Sequence, residues 1–411
     1  MISLLLNLLN CSILIFVIYY IIHNKRDNAL LWFTIVMLYF INIPLLYDSA
    51  MLLYYGDFNY ETIQKANNNY WFKGSYKYIN KISFHSLIFN FLVCLTYIII
   101  NPIKKIKENI PEDKIYMDST LLSGIPWWLC FTISISALLL FLYTNQIFSI
   151  THIGTGKWYL NRIHAPALIL LSKILISLSP VAVLKGLCEK KWSLAILCIL
   201  PTITIGYITD ARSLVISVGF YFLFYLIWKV EKFHLRTIAF YIIALFFISY
   251  IFTSWRGGYG LFYPKAKDLS YTDLFYSYCI QDNISTKGSN TIRLLLTGFY
   301  DYNAKDVTVA LAHYKFNENW GSLHPTILGW AFLDLGRMFW LLSIIWGAII
   351  AICDIIRYKL PSYINYSFLS FIFSFLSVSI RGSVQFAYAS LIYPLILMFI
   401  YYIIHIKLKL L

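Results

Sequence analysis

Charge is what this sequence has least of. Only 13% of its 411 residues are Asp, Glu, Lys or Arg, against 60% hydrophobic, and the mean hydropathy is +0.68. A water-soluble globular domain carries about a quarter charged residues, so that class is excluded. Cysteine is sparse too. None of the seven lies in a C-x-x-C spacing, and five (Cys11, Cys94, Cys130, Cys198, Cys353) sit inside or against apolar runs. Cys279 stands alone in a polar interval, so neither a zinc site nor a disulfide framework is expected. Internal repeats, low-complexity tracts and linkers are also missing, which leaves residues 1–411 as a single expected domain.

What the sequence has in abundance is apolar runs of about 17 to 25 residues, each long enough to cross a bilayer as an α-helix. The expected fold is an all-α polytopic integral membrane protein with about eleven transmembrane helices. The first run, Ile2 to Ile22, has no basic segment before it and no small-residue cleavage site after it, so it reads as a span and not a leader. Further spans are expected near 29–47, 82–100, 121–143, 165–184, 194–209, 214–228, a stretch ending near 252, 338–356, 363–379 and 386–404. Basic residues outnumber acidic ones 33 to 19, but they fall mostly between the runs. Alternate loops collect sixteen of them in six short segments, among them Lys104, Lys105 and Lys107, then Lys190 and Lys191, then Lys229 and Lys232. By the positive-inside rule that side is cytoplasmic, which puts the N-terminus outside and the C-terminus inside. Topology thus accounts for the charge of +14; the partner it implies is the lipid bilayer and not nucleic acid.

One polar interval is too long for a simple connection. Residues 255–325 form a large loop on the outer side, with fourteen aromatic side chains between Trp255 and Trp320, so short helices are expected inside it. Arg212, Arg256, Arg337 and Arg381 fall at the outer boundary on four different helix ends. Arginine's planar, permanently charged fork suits phosphate oxygens, so these four are candidates for a pyrophosphate clamp. Each could instead reach headgroups or pair locally, as Asp334 with Arg337 at i, i+3. His324 stands before Pro325 at the expected start of a helix, where it could serve as a base toward a hydroxyl. Asp210, Asp301, Asp306 and Asp334 are alternative bases. Trp255, Tyr259 and Trp320 offer flat faces to sugar rings, although such residues also form interfacial belts. Lys173 is an intramembrane charge and so a functional candidate. No acidic pair with metal-ligand spacing lies on the outer face, and no metal or other cofactor is expected.

Taken together, Thr209-Asp210-Ala211-Arg212, the Arg256 and Gly258 pair opening the long loop, His324-x-Thr326-x9-Gly336 and Arg381-Gly382-Ser383 resemble the Wzy-type O-antigen polymerases of Gram-negative bacteria. The His-x-Thr segment is also similar to the related O-antigen ligases. Length, span layout and the single dominant loop extend the resemblance over the whole chain. It implies a metal-independent inner-membrane glycosyltransferase with the long loop in the periplasm. Such an enzyme moves a growing saccharide from undecaprenyl pyrophosphate onto a new lipid-linked repeat unit, and a chain-length regulator is its implied partner protein. On this reading Arg256 joins His324 and Asp334 in the catalytic set, Arg212, Arg256, Arg337 and Arg381 hold the pyrophosphate, and Trp255, Tyr259 and Trp320 bind sugar. A lipid-linked oligosaccharide flippase and an O-antigen ligase are the competing functions. The flippase would need polar residues along a central path, whereas the charges here gather at one face.

Overall fold

The computed structural model describes residues 1–23, 29–55, 78–101, 125–147, 165–179, 181–209, 269–281, 287–291, 307–316, 323–359, 376, 379–382 and 400. Regular structure among them is helical throughout, with no strand. Among the described residues, four helices are long and apolar enough to cross a membrane: Ile2–His23, Ala29–Tyr54, Ile79–Ile100 and Trp127–Thr144. The chain divides into two compact units, one comprising Met1–Glu108, Lys267–Ile355 and Leu376–Phe386, the other Asn109–Ala266, Ile356–Phe375 and Ala387–Leu411. Composition carries no sign of this division, because both units are assembled from helices of the same apolar character.

In the first unit, α1 (Ile2–His23) packs against the helix pair α2 (Ala29–Met37) and α3 (Ile43–Tyr55) and against α4 (Ile79–Ile100). The buried positions of α1 are Ser3, Asn7, Asn10, Cys11, Leu14 and Ile21, a stripe of spacing three and four, while Leu5, Leu8, Leu9, Ile15 and Phe16 face outward. Polar groups turned in and apolar ones turned out is the arrangement lipid demands, since helices in hydrocarbon gain nothing by hiding leucine from tails that resemble it. The inward groups bond to one another. Asn7 Nδ2 donates to Ser49 Oγ and Ser83 Oγ at 2.9 Å each, and Asn10 Nδ2 donates to Asn42 Oδ1 at 2.6 Å. Asn90 Nδ2 reaches Asn10 Oδ1 at 3.0 Å and Ser86 Oγ reaches Asn42 Oδ1 at 2.9 Å. Asn42 gains its central place from a π-helical segment, Leu38–Asn42, between α2 and α3. Pro44, two residues after Asn42, has no N–H for the ladder, a known cause of such irregularity.

The other end of this frame is closed by a carboxylate. Ala29 N–H donates to both oxygens of Asp354 at 3.0 and 2.9 Å, and Tyr97 hydroxyl donates to Oδ2 at 2.8 Å. Asp354 belongs to α12 (Trp340–Lys359), which approaches α4 so closely at Gly347 that a Cβ there would lie 2.7 Å from Thr96 Cβ and from the Val93 carbonyl oxygen. Between α4 and α12 in sequence lie α9 (Leu269–Ile280), α10 (Val307–Phe316) and α11 (Thr326–Leu335), which is followed by a 3₁₀ turn, Gly336–Met338. Of these, α9 and α10 lie inside the interval 255–325, where short helices were expected, and α11 is the helix expected to start after Pro325.

The second unit contains α5 (Trp127–Thr144), α6 (Pro166–Leu178), α7 (Val181–Glu189) and α8 (Trp192–Thr209). Ala137, Phe141, Ile147, Ile176, Ile205 and Ile208 form one core cluster, and Cys130, Ala182 and Cys198 another. At one edge Glu189 accepts from Trp127 Nε1 at 2.8 Å and pairs with Lys185 and, at 3.3 Å, with Lys191.

Several expected boundaries differ, the span expected from 121 beginning at Trp127 after Pro126. The span expected to end near residue 47 continues as α3 to Tyr55, with Asp48 and Ser49 buried where a polar loop was expected. Their burial is made tolerable by the polar lining of the bundle, seen in the Ser49–Asn7 bond. The span expected at 165–184 is two helices with a break at Ser179, beside Pro180, which cannot donate an N–H. Ser179 Oγ turns instead to the Ile176 carbonyl and to Thr202 Oγ1 of α8. The span expected from 338 begins at Trp340, because the 3₁₀ turn intervenes. The spans expected near 214–228 and up to 252, and nearly all of those at 363–379 and 386–404, lie outside the described residues.

Candidate functional site

The first unit brings together two segments that are far apart in sequence, the run 324–326 and the turn at 381–382. Thr326 N–H donates to the Arg381 carbonyl at 3.1 Å. Gly382 has φ +112°, and its missing side chain is what permits the contact: a Cβ would stand 2.8 Å from Thr326 N, 3.0 Å from Pro325 N and 3.1 Å from His324 C. All three are backbone atoms. Gly382 N–H in turn donates to the Ser379 carbonyl at 2.9 Å, closing the turn. His324 is half-buried, and its N–H donates to Asp273 Oδ2 of α9 at 3.3 Å. Asp273 itself is buried, and sequence reasoning passed over it as one more loop acid.

From this junction α11 runs through the unit with every residue from Thr326 to Asp334 buried. It packs on α9 through Gly329, where a Cβ would meet Ser277 Oγ at 2.6 Å and Leu274 Cδ1 at 3.3 Å. Toward its far end Phe332 stacks on Tyr278 with ring centroids 4.1 Å apart, and Lys81 Nζ lies 4.6 Å over the Phe332 ring. His85 of α4 bonds Tyr278 hydroxyl through Nδ1 at 2.8 Å, packs on Phe332 with ring centroids 5.3 Å apart and stacks on Phe339 at 4.2 Å, fixing α4 against α9 and α11. Burial pushes the Tyr278 hydroxyl well above its ordinary range. The Tyr276 hydroxyl is pushed up to about 12 by burial first and then by neighbours that include Tyr314 and Asp273. Neither phenol is a base at neutral pH; among the described residues beside the junction, His324 and Asp273 are the proton-accepting candidates.

The sequence candidates are placed as follows. His324 and Arg381 meet at the start of α11, with the Arg381 side chain half-buried. Arg337 is exposed in the 3₁₀ turn beyond the other end. Ten helical residues separate the two arginines' anchor points, a length of about 15 Å at 1.5 Å per residue. The described pair therefore holds opposite ends of one helix. Asp334 is fully buried and accepts from Asn290 N–H at 3.1 Å, Thr291 N–H at 2.7 Å and Thr291 Oγ1. Its expected partnership with Arg337 is not formed. Gly336, at φ +58°, ends the helix between them, so the i, i+3 geometry of a continuous helix does not exist there. Ion pairs within the described residues include those of Glu189 with Lys185 and Lys191, in the second unit. Arg212, Arg256, Trp255, Tyr259 and Trp320 lie outside the described residues, as do Asp210, Asp301 and Asp306. Lys173 is half-buried on α6 of the second unit.

What this junction offers chemically is a permanent cation, an imidazole and a carboxylate drawn to one helix start, whose first-turn N–H groups add positive potential. Among the described residues no cluster of His, Cys, Asp and Glu could hold a metal ion. Compared with protein-family profiles, curated proteins and solved structures, the chain matches none.

Proposed function

We propose that this chain is a membrane-embedded glycosyltransferase that polymerises undecaprenyl-pyrophosphate-linked saccharide repeat units, in the manner of the O-antigen polymerases it resembles. The observation that carries the reading is the hydrogen bond from Thr326 N–H to the Arg381 carbonyl, because it unites the His-x-Thr and Arg-Gly-Ser segments on which the resemblance rests. In the reaction a hydroxyl of the acceptor sugar attacks the anomeric carbon of the donor. The new glycosidic C–O bond forms as the bond to the pyrophosphate breaks, the leaving group taking the electron pair and a protein base taking the hydroxyl proton. Arg381, with Arg212 and Arg256 as further cations of the proposal, stabilises charge as it develops on the pyrophosphate. His324 or the Asp273 carboxylate accepts the proton. Holding two lipid-linked substrates in one bilayer contributes through proximity.

The proposal includes about eleven spans in a bacterial inner membrane, the loop 255–325 in the periplasm and a chain-length regulator as partner. The test is genetic. In a host with a complete O-antigen pathway, deleting this gene alone leaves lipopolysaccharide capped by one repeat unit, without a ladder, and the intact gene restores the ladder. Bare core in the deletion strain would point to the flippase or the ligase and refute polymerisation. Periplasmic reporters fused at Lys287 are active and those fused at Lys107 or Lys232 silent; the opposite pattern would invert the topology.

A further inference from the structure

Three uncharged polar atoms around the junction have no hydrogen-bond partner although each is sealed from solvent: Thr326 Oγ1, Trp330 Nε1 and Ser379 Oγ. All three residues have 0% relative exposure. Leaving such a group unmade costs stability, and native proteins do so rarely and usually where the group serves something else. The three are related in space. Thr326 and Trp330 are i, i+4 on α11 and so share a face, and Ser379 belongs to the turn whose Arg381 carbonyl accepts from Thr326 N–H. Thr326 also has φ +59°, in the left-handed region that a β-branched residue is seldom found in. Strain and unmade hydrogen bonds on the same residue, at the meeting point of the two motifs, mark a position kept for a ligand and not for the fold.

The chemistry of the trio narrows the ligand. An indole N–H only donates, a hydroxyl donates or accepts, and none of the three carries charge. An anion would be served by the guanidinium close by, whereas this set suits a neutral group that both donates and accepts. We infer that Thr326, Trp330 and Ser379 form a slot that binds hydroxyl groups of the lipid-linked saccharide, an inference that rests on the glycosyl-transfer reading above. Because none of the three is exposed, the saccharide reaches them only as the contact between 324–326 and 381–382 opens.

The test uses the full chain in lipid nanodiscs and two probes: undecaprenyl pyrophosphate bearing the host's single repeat unit, and undecaprenyl pyrophosphate without sugar. Thr326→Val and Ser379→Ala each delete one polar atom with little change of shape. Each variant should bind the sugar-bearing probe roughly 3- to 10-fold more weakly, the scale of one neutral hydrogen bond, and the sugar-free probe unchanged. Melting temperature should hold or rise, since an unsatisfied buried group has been removed; a purely structural role would lower it. Equal binding of the sugar-bearing probe by wild type and variants would overturn the slot alone, as would equal weakening toward both probes. Wild-type protein that binds neither probe would overturn the slot and the glycosyl-transfer reading together.

Discussion

Replacing Gly382 with alanine tests whether the junction depends on backbone contact. Two costs are separable. A non-glycine residue held at φ +112° is strained by about 1–3 kcal/mol. The added Cβ would also press on Thr326 N at 2.8 Å, Pro325 N at 3.0 Å and His324 C at 3.1 Å, none of which can swing away as a side chain would. Moving the turn to relieve this stretches the Thr326 N–Arg381 O bond and strands a buried N–H, a further loss of about 1–3 kcal/mol. The sum is about 2–6 kcal/mol. Gly288→Ala is the internal comparison: its φ of +81° carries the backbone term, but its Cβ would meet only Leu335 Cδ2, at 3.4 Å. Thermal unfolding of the purified full chain should show a clearly larger fall for Gly382→Ala than for Gly288→Ala. The saccharide ladder in the complemented deletion strain should vanish for the former alone. Equal falls, or a normal ladder from Gly382→Ala, would refute the claim that tight backbone approach assembles the site.

Further outcomes follow from individual contacts. Asp334→Ala removes the acceptor of two backbone N–H groups and one hydroxyl, so unfolding should be eased by about 3 kcal/mol or more; loss of activity at an unchanged melting temperature would instead indicate a chemical role. His324→Ala should slow turnover roughly 10²-fold and flatten the rate–pH profile if the imidazole is the base, whereas a normal rate would pass that role to Asp273. Burial alone would raise the Glu189 carboxyl, but hydrogen bonds from Lys185 and Trp127 hold it below the ordinary carboxylate range. A depressed carboxylate contributes stability that is present above its unfolded pKa and lost as pH falls through the folded value. The wild-type melting temperature should therefore drop on acidification toward and below that range, and that of Glu189→Gln should drop less.

Much of the helical framework was legible because apolar runs of membrane length leave the backbone one solution. What periodicity conceals is which side of a span faces the bundle. Asn7 and Asn10 lie i, i+3 inside a run of leucine and isoleucine, and that spacing was the available signal for the polar ladder to Asn42, Ser83 and Asn90. The break at Ser179 was equally available in Pro180. Asp334 was misjudged toward Arg337 because i, i+3 pairing presumes an unbroken helix, and Gly336 could be read either as a packing residue or as a stop. Asp273 carried no local mark at all: its importance comes from His324, which no spacing rule connects to it.

The frame and the junction are coupled through residues that neither spans nor motifs would suggest. Asn10, Asn42 and Asn90 fix the register of α1, the π-helical segment and α4 by directional bonds, which hydrocarbon packing by itself would leave free to slide. His85 lies five residues before Asn90 on α4 and passes that register to α9 through Tyr278 and to α11 through Phe332. α9 then holds His324 by Asp273, and α11 is pinned at its start by the Arg381 carbonyl and at its end by the bonds of Asp334. A buried helix held at both ends cannot translate without breaking one of them. Substitution of Asn10 by leucine should therefore act at a distance, loosening the position of His324 relative to Arg381 without touching either. The expected result is a fall in turnover with the Thr326→Val and Asn10→Leu effects adding to less than the double variant shows. Simple additivity between the two would mean that the asparagine ladder only holds the bundle together.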